Sequence, residues 1–405
     1  MDYTILIFGI IAVICSALLA FTLTPPTRVL AFRIGAIDIP KDDRRMHKKP
    51  MPRIGGFAIF AGFTISTIIF CTPTPELVAI WFGGLILVAL GILDDIYRFP
   101  SLVKFVFQIA VAVIAISQGV VISQINIFGN FIIFGMWEIP ITILWIVGLT
   151  NAINIIDGLD GLACGVSAIC CASLMFVAIL TGETSYALIV AILMGACLGF
   201  LPFNRSQENP ANIFMGDTGA LFLGYTMAVL SVEGVFKLST VISFIVPLVI
   251  FALPLFDTTF AFFRRIVKGK NPFHGDRGHL HHKLIDMGFT HKQGTMILYA
   301  VCGILGIASV VFTEAASNEH RYSRAVITAA AAILVFVLNF IILKDKKSRI
   351  QSGLVEPTKE EEAEILRELL EKDKSRDESE IDIPVTAAEI SIDGESVNEE
   401  TENKD

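Results

Sequence analysis

Apolar residues in this chain gather in long runs, and polar residues are confined mostly to the stretches between them. A helix needs about 20 apolar residues to cross the hydrocarbon core of a bilayer. Eleven runs approach that length, near residues 4–23, 54–71, 76–93, 103–120, 139–156, 161–181, 185–202, 213–232, 239–262, 294–312 and 324–343. The pattern predicts an all-α polytopic membrane protein with about 11 transmembrane helices. The first run lacks a basic leading segment and a small-residue cleavage site, so it reads as a span and not a signal peptide. Two places depart from the pattern. Val121–Trp137 is apolar but alternates loosely about Gly129-Asn130, which predicts a hairpin at the outer surface. Pro247 and Pro254 each remove a backbone donor inside the ninth run and should bend or loosen it.

The connections set the orientation, because cytoplasmic loops collect Lys and Arg. With the N-terminus outside, the inner loops near 24–53, 94–104, 203–212, 263–293 and from 344 onward hold 22 of the 25 basic residues that precede Ile350. The outer loops hold only Lys237, Arg321 and Arg324. The C-terminus is therefore expected in the cytoplasm.

Composition agrees: 54% of residues are apolar and 17% charged, against about one quarter charged in an average soluble domain. The net charge of −8 hides two materials. Residues 350–405 carry 19 acidic and 6 basic side chains, whereas residues 1–349 carry a surplus of five positive charges. A membrane domain over 1–349 and an acidic cytoplasmic tail over 350–405 follow. Thr358-Lys359-Glu360-Glu361 resembles a capping box before a short amphipathic stripe of Ile365, Leu366, Leu369 and Leu370; beyond Lys372 the composition is that of a disordered segment. The seven cysteines lie within or beside apolar runs and form no CxxC pair, so they read as small buried hydrophobes.

Four polar clusters interrupt the apolar pattern, all on the side assigned to the cytoplasm. Gly91-Ile92-Leu93-Asp94-Asp95-Ile96-Tyr97-Arg98 closes the third run, and Lys104, Phe105 and Gln108 open the fourth. Adjacent carboxylates repel, so a metal, a lysine or a shared proton should lie near them. Asn151-Ala152-Ile153-Asn154-Ile155-Ile156-Asp157-Gly158-Leu159-Asp160-Gly161 places Asn151, Asn154 and Asp157, then Asp160, at three-residue helical spacing. Phe214-Met215-Gly216-Asp217-Thr218-Gly219 opens the eighth run; it could be a helix cap or a carboxylate ligand for a hard cation. The fourth cluster, Pro272 to Lys283, includes Arg277 and His279-Leu280-His281-His282, and five of the seven histidines fall between His274 and His291. No matching Cys/His pair completes a zinc site. With Arg264, Arg265, Lys268, Lys270 and Lys283, this loop looks like an anion clamp. Carboxylates and cations on one membrane face suggest a magnesium-bound, phosphate-rich substrate. No Walker loop or dinucleotide fingerprint is present. Residue chemistry thus reaches a cytoplasm-facing enzyme or transporter of a phosphorylated ligand.

In order, these clusters resemble the polyprenyl-phosphate N-acetylhexosamine-1-phosphate transferases, the MraY/WecA/TagO family, from about Arg33 to His282. Arg44, His47, Pro50, Pro52, Arg53, Gly55 and Gly56 of the first inner loop belong to the resemblance too. The His-x-His-His pattern is similar to the WecA/TagO branch, which uses UDP-GlcNAc and undecaprenyl phosphate; three consecutive histidines mark the MraY branch, which uses UDP-MurNAc-pentapeptide. The resemblance implies transfer of GlcNAc-1-phosphate with release of UMP, at the first membrane step of an envelope polysaccharide such as teichoic acid, in a bacterial plasma membrane. It implies Mg2+, with Mn2+ able to substitute, held by Asp217 with Asn154. Asp94 is implied as base or positioning group for the lipid phosphate, organised by Asp95 and Lys104. Phe214 would stack on uracil, Asn151, Asp157 and Asp160 would shape the nucleotide site, and Arg277, His279, His281 and His282 would contact pyrophosphate or sugar. No nucleic-acid partner is expected, and a homodimer is compatible with the resemblance. The alternatives are a MraY-type enzyme and, in another class, a transporter; the one-sided polar clusters and the lack of an internal repeat speak against transport.

Overall fold

The computed structural model of the chain describes residues 3–39, 50–127, 130–205, 211–236, 245–267, 269 and 279–316. The eleventh run, the acidic tail with its boundary at 349, Arg44, His47 and Arg277 lie outside the described residues.

The chain folds into α1 (Tyr3–Ile34), β1 (Ile37–Asp38), β2 (Met51–Pro52), α2 (Gly56–Phe70), α3 (Pro75–Tyr97) and α4 (Ser101–Ser117), then β3 (Gln124–Ile127) and β4 (Asn130–Ile133). There follow α5 (Glu138–Ile156), α6 (Leu162–Leu180), α7 (Thr184–Asn204), α8 (Gly216–Ser231), α9 (Ile245–Ile250), α10 (Ala252–Val267), α11 (Leu280–Asp286) and α12 (His291–Ala316). Among the described residues, six helices (α1, α3, α5, α6, α7 and α12) are long and apolar enough to cross a membrane. The ends follow local chemistry. Thr74 caps α3 by accepting the Leu77 amide at 3.3 Å, with Pro75 at the first helical position, where its missing N–H costs nothing.

Helix α8 forms the centre, packed by α2, α3 and α5. Every residue from Gly216 to Ser231 except Asp217 is buried. A segment hydrophobic all round must be enclosed by other helices, and its polar groups must find partners there. Tyr225 accordingly donates to the Ala79 carbonyl at 3.0 Å, and Ser231 accepts from the Trp145 indole at 2.9 Å. Because successive helices alternate in direction, the C-terminal ends of α3, α5 and α7 meet the N-terminal ends of α4, α6 and α8. The polar clusters sit at that shared end.

Two expectations need correction and a third holds. The first run was placed at 4–23, but α1 continues through Pro25-Pro26 to Ile34. Pro25 and Pro26 leave the Phe21 and Thr22 carbonyls without their helical donors, and on either side of that gap the hydroxyls of Thr24 and Thr27 add bonds to the carbonyls of Ala20 and Leu23 at 2.7 Å each. The ninth run loosens at its prolines as expected: α9 ends at Ile250 and α10 starts at Ala252, while the Phe251 amide still donates to the Pro247 carbonyl and the Leu255 amide to the Phe251 carbonyl at 3.0 Å each. Pro254 cannot donate to the carbonyl four residues back, and that carbonyl, Ile250, instead accepts the Cys170 thiol at 3.4 Å. The hairpin forms, but its register pairs Ile127 with Asn130, so the connecting residues are 128–129 and Asn130 belongs to the second strand. Ile122 fastens the hairpin to α5 by donating to the Thr142 hydroxyl at 2.9 Å.

Candidate active site

Helix α3 ends at the paired carboxylates. Arg98 adopts a left-handed conformation (φ 57°), alone among the described non-glycine residues, and its amide returns to the Asp94 carbonyl at 2.7 Å. Such a turn costs of order 1 kcal/mol for a residue with a Cβ. It brings the Phe99 amide to 2.8 Å from Asp94 Oδ1. The chain re-enters a helix at Ser101, and Lys104 then faces back toward α3. Its Nζ lies 3.3 Å from Asp94 Oδ2 and 2.7 Å from Asp217 Oδ2, so one ammonium joins carboxylates from α3 and α8.

Asp95, buried beside it, reaches the first turn of α8. Its Oδ2 accepts from the Thr218 amide at 3.3 Å and the Thr218 hydroxyl at 2.9 Å. A carboxylate at a helix N-terminus is favoured by the backbone dipole. Its Oδ1 lies 3.5 Å from Arg53 Nε, and Arg53 also pairs with Asp38 at 3.9 Å. The 52–56 segment crosses the start of α8 in extended contact: Phe214 N donates to Pro52 O, Gly55 N to Phe214 O and Gly56 N to Met215 O, at 2.8–3.0 Å. Phe214 is thus pinned through its backbone on both sides and is half-buried. Gly216 has φ 70°, and a Cβ there would collide with the Arg53 carbonyl and the Asp95 carboxylate. The motif requires glycine at this position.

Helix α5 supplies the asparagines. Asn151 exchanges amide hydrogen bonds with Gln108 of α4 at 2.6 and 3.3 Å and donates to the Val147 carbonyl, which fixes both amides. Asn154 lies beside Asp217. Asp157 follows at the end of α5. Burial, then the nearby charges of Asp217 and Asp95, push its carboxyl up to about 8, against a smaller opposing pull from Arg53. Asp160 accepts from the Ala211 amide at 3.4 Å and lines a shallow recess with Arg205, His291, Lys292, Thr295 and Met296. The glycine after it, Gly161, accepts the Tyr299 hydroxyl at 2.6 Å, so α12 holds this turn.

The histidine cluster meets the same turn. A Cβ on Gly158 would strike the His281 ring, so this imidazole rests directly on the backbone between Asp157 and Leu159. His281 is buried, and burial, followed by the neighbouring His282, lowers its pKa to about 4. His279 lies parallel to it (5°, centroids 5.9 Å apart), and His282 packs on it at 4.3 Å. His279 Nδ1 is 3.1 Å from Asp257 Oδ2, the Leu280 amide donates to Asp257 Oδ1 at 2.9 Å, and an Arg265 Nη2 lies 3.4 Å from His279 Nε2. The candidate residues therefore form two neighbouring groups, bridged by the Asp157–Gly161 turn.

Two residues outside the expected site set join these groups. Arg53 belongs to the family pattern but had no assigned role. Asp257 belongs to none of the four polar clusters, yet a lone acid amid Phe256, Phe260, Phe262 and Phe263 is itself a signal, because an ionisable group within an apolar helix is costly unless it has a task.

Around Lys104 and Arg53 three carboxylates, Asp94, Asp95 and Asp217, face the two cations, so negative charge is in excess even with Asp157, whose pKa is pushed up to about 8, left uncharged. Among the described residues no three His, Cys, Asp or Glu side chains form a chelating group. Magnesium, the ion the resemblance implies, usually takes one or two carboxylates and fills its remaining positions with water and substrate phosphate. Asp217 beside Asn154 offers oxygens of this kind.

Comparisons with known proteins point one way. Residues 77–235 match the family described as Glycosyl transferase family 4. The chain is 38% identical over 309 residues to a probable undecaprenyl-phosphate N-acetylglucosaminyl 1-phosphate transferase of Bacillus subtilis, covering 76% of this chain and 85% of that protein. It is 31% identical over 358 residues to a decaprenyl-phosphate N-acetylglucosaminephosphotransferase of Mycobacterium tuberculosis, covering 80% and 87%. It is 29% identical over 294 residues to an undecaprenyl-phosphate alpha-N-acetylglucosaminyl 1-phosphate transferase of Escherichia coli, covering 70% and 78%.

Proposed function

Because the chain belongs to the polyprenyl-phosphate N-acetylhexosamine-1-phosphate transferases of glycosyl transferase family 4, we propose that it transfers GlcNAc-1-phosphate from UDP-GlcNAc to undecaprenyl phosphate and releases UMP. The observation that carries this reading is the Lys104 ammonium bridging Asp94 and Asp217 within an over-acidic cluster. The acceptor phosphate oxygen forms a bond to the β-phosphorus of the donor, and the bond from that phosphorus to the UMP oxygen breaks. A phosphate monoester has a second pKa near 6, so the nucleophile is largely ionised at neutral pH. The barrier then lies in bringing anions together in line, which fixed charges and donors lower.

In this reading Asp94, held by the Phe99 amide, positions the lipid phosphate or takes its residual proton. Lys104 and Asp95 hold Asp94 and the start of α8 in register. Asp217 and Asn154 would hold Mg2+, or Mn2+ in its place. When bound, the ion supplies neutralisation of the pyrophosphate charge. Phe214 stacks on uracil, Asn151, Asp157 and Asp160 shape the nucleotide site, and the His279–His282 turn with Arg277 faces pyrophosphate and sugar. The Lys/Arg asymmetry of the connections supports a cytoplasmic active site, an outside N-terminus and about 11 spans in a bacterial plasma membrane. The product would open synthesis of an envelope glycan such as teichoic acid.

The test is product analysis with purified full-length protein in undecaprenyl-phosphate vesicles, offering UDP-GlcNAc, UDP-GalNAc and UDP-MurNAc-pentapeptide separately. A lipid-linked GlcNAc pyrophosphate formed in step with UMP is expected. Product from the MurNAc donor alone would reject the donor assignment.

A further inference from the structure

We propose that Asp257 is a positioning residue for the donor site, acting through His279; the catalytic part of this inference rests on the transferase reading above. Asp257 is only 5% exposed, in a helix that also carries Phe256, Phe260, Phe262 and Phe263. A carboxylate there is costly unless its lone pairs are met. Both oxygens are used on one short stretch of chain: one meets His279 Nδ1 at 3.1 Å, and the other accepts the Leu280 amide at 2.9 Å. Two helical turns further along α10, on the same face, Arg265 sets an Nη2 3.4 Å from His279 Nε2.

A guanidinium can only donate. His279 Nε2 must therefore accept, and the ring proton sits on Nδ1, directed at Asp257. Asp257 and Arg265 together fix the tautomer and plane of His279 and engage both of its nitrogens, so this imidazole acts as a fastening and the substrate contacts of the turn fall to its neighbours. The parallel His281 ring transmits the placement, because it rests on Gly158 next to Asp157. Carboxylate–imidazole pairs of this kind orient a working group at one remove, and their loss typically costs about 10–100-fold.

Three full-length variants in undecaprenyl-phosphate vesicles test the proposal: Asp257→Asn, His279→Gln and the double variant. Each single change should lower kcat/KM for UDP-GlcNAc about 10–100-fold, with KM for undecaprenyl phosphate unchanged. The double variant should be no worse than the poorer single one, because both act on one fastening. Asp257→Glu, which keeps the charge, should recover part of the loss. Nitrogen-15 histidine NMR of the unmodified protein, with the His279 signals identified by their loss in His279→Gln, should show a protonated Nδ1 and an unprotonated Nε2. That measurement needs no turnover, so it stands even if UDP-GlcNAc proves to be no substrate. Additive losses in the double variant, an equal rise in the lipid KM, or a protonated Nε2 would each overturn the proposal.

Discussion

The two groups of polar residues at this end of the helices are built on different electrostatic plans. Around Lys104 the carboxylates outnumber the cations, and each of Asp94, Asp95 and Asp217 is held by a group from a different helix or loop. Around His279 one carboxylate and one guanidinium, Asp257 and Arg265, face each other across an imidazole. The first arrangement is incomplete without added positive charge, since an incoming phosphate would add only more anion. The second is already matched within the protein and offers a substrate shape and direction. In the proposed reading, transfer chemistry belongs to the first and donor placement to the second. They meet at the Asp157–Gly161 turn, where the Gly158 backbone carries the His281 ring.

Substitutions can break that division of labour. The largest effect is expected from Asp217→Asn, which removes the carboxylate beside Lys104 and Asn154. UMP release should fall about 1000-fold or more, equivalent to about 4 kcal/mol. Asp94→Asn should be milder, about 100-fold, because an ionised phosphate needs little help from a base. Complete loss in that variant, with a phosphorylated aspartate trapped in the unmodified enzyme, would favour a two-step route. Lys104→Met leaves carboxylates of α3 and α8 facing each other unpaired, and should lower stability by about 3 kcal/mol in a denaturation experiment in detergent.

The histidine group should report itself through pH. The folded protein holds His281 at about 4, against about 6.5 in an unfolded chain. Between these values the unfolded state binds the extra proton, so stability is full above pH 6.5 and is lost as pH falls toward 4. A loss of about 3 kcal/mol across that window is expected from thermal melts, and His281→Gln should flatten it. The smallest effect belongs far from both groups: Thr74→Ala removes the cap of α3 at its other end and should cost about 1 kcal/mol with unchanged turnover.

How far all this could be read from the chain depended on whether the signal was local. Asp94-Asp95, Asn151 to Asp160 and Asp217 stand out because polar residues inside or beside apolar runs are conspicuous. The alternation of helix directions then brings them together, so helix positions and cluster membership were legible together. Asp257 was not, since its partners His279 and Leu280 lie 22 and 23 residues onward and nothing local names them. The loosening after Ile250 was half legible: Pro254 announces a missing bond, but the Cys170 thiol that fills it comes from another helix. The continuation of α1 past Pro25-Pro26 was hidden because polar residues and prolines interrupt the apolar run there without ending the helix.

The central claim is that the Lys104 cluster carries out GlcNAc-1-phosphate transfer, and the most direct measurement is UMP release by the unmodified protein and by Asp217→Asn in matched vesicles. Magnesium, UDP-GlcNAc and undecaprenyl phosphate are each omitted in turn. Release is expected only from the unmodified protein with all three present, in equal amount to the lipid product. Equal release by Asp217→Asn, or none by the unmodified protein with all three supplied, would contradict the account.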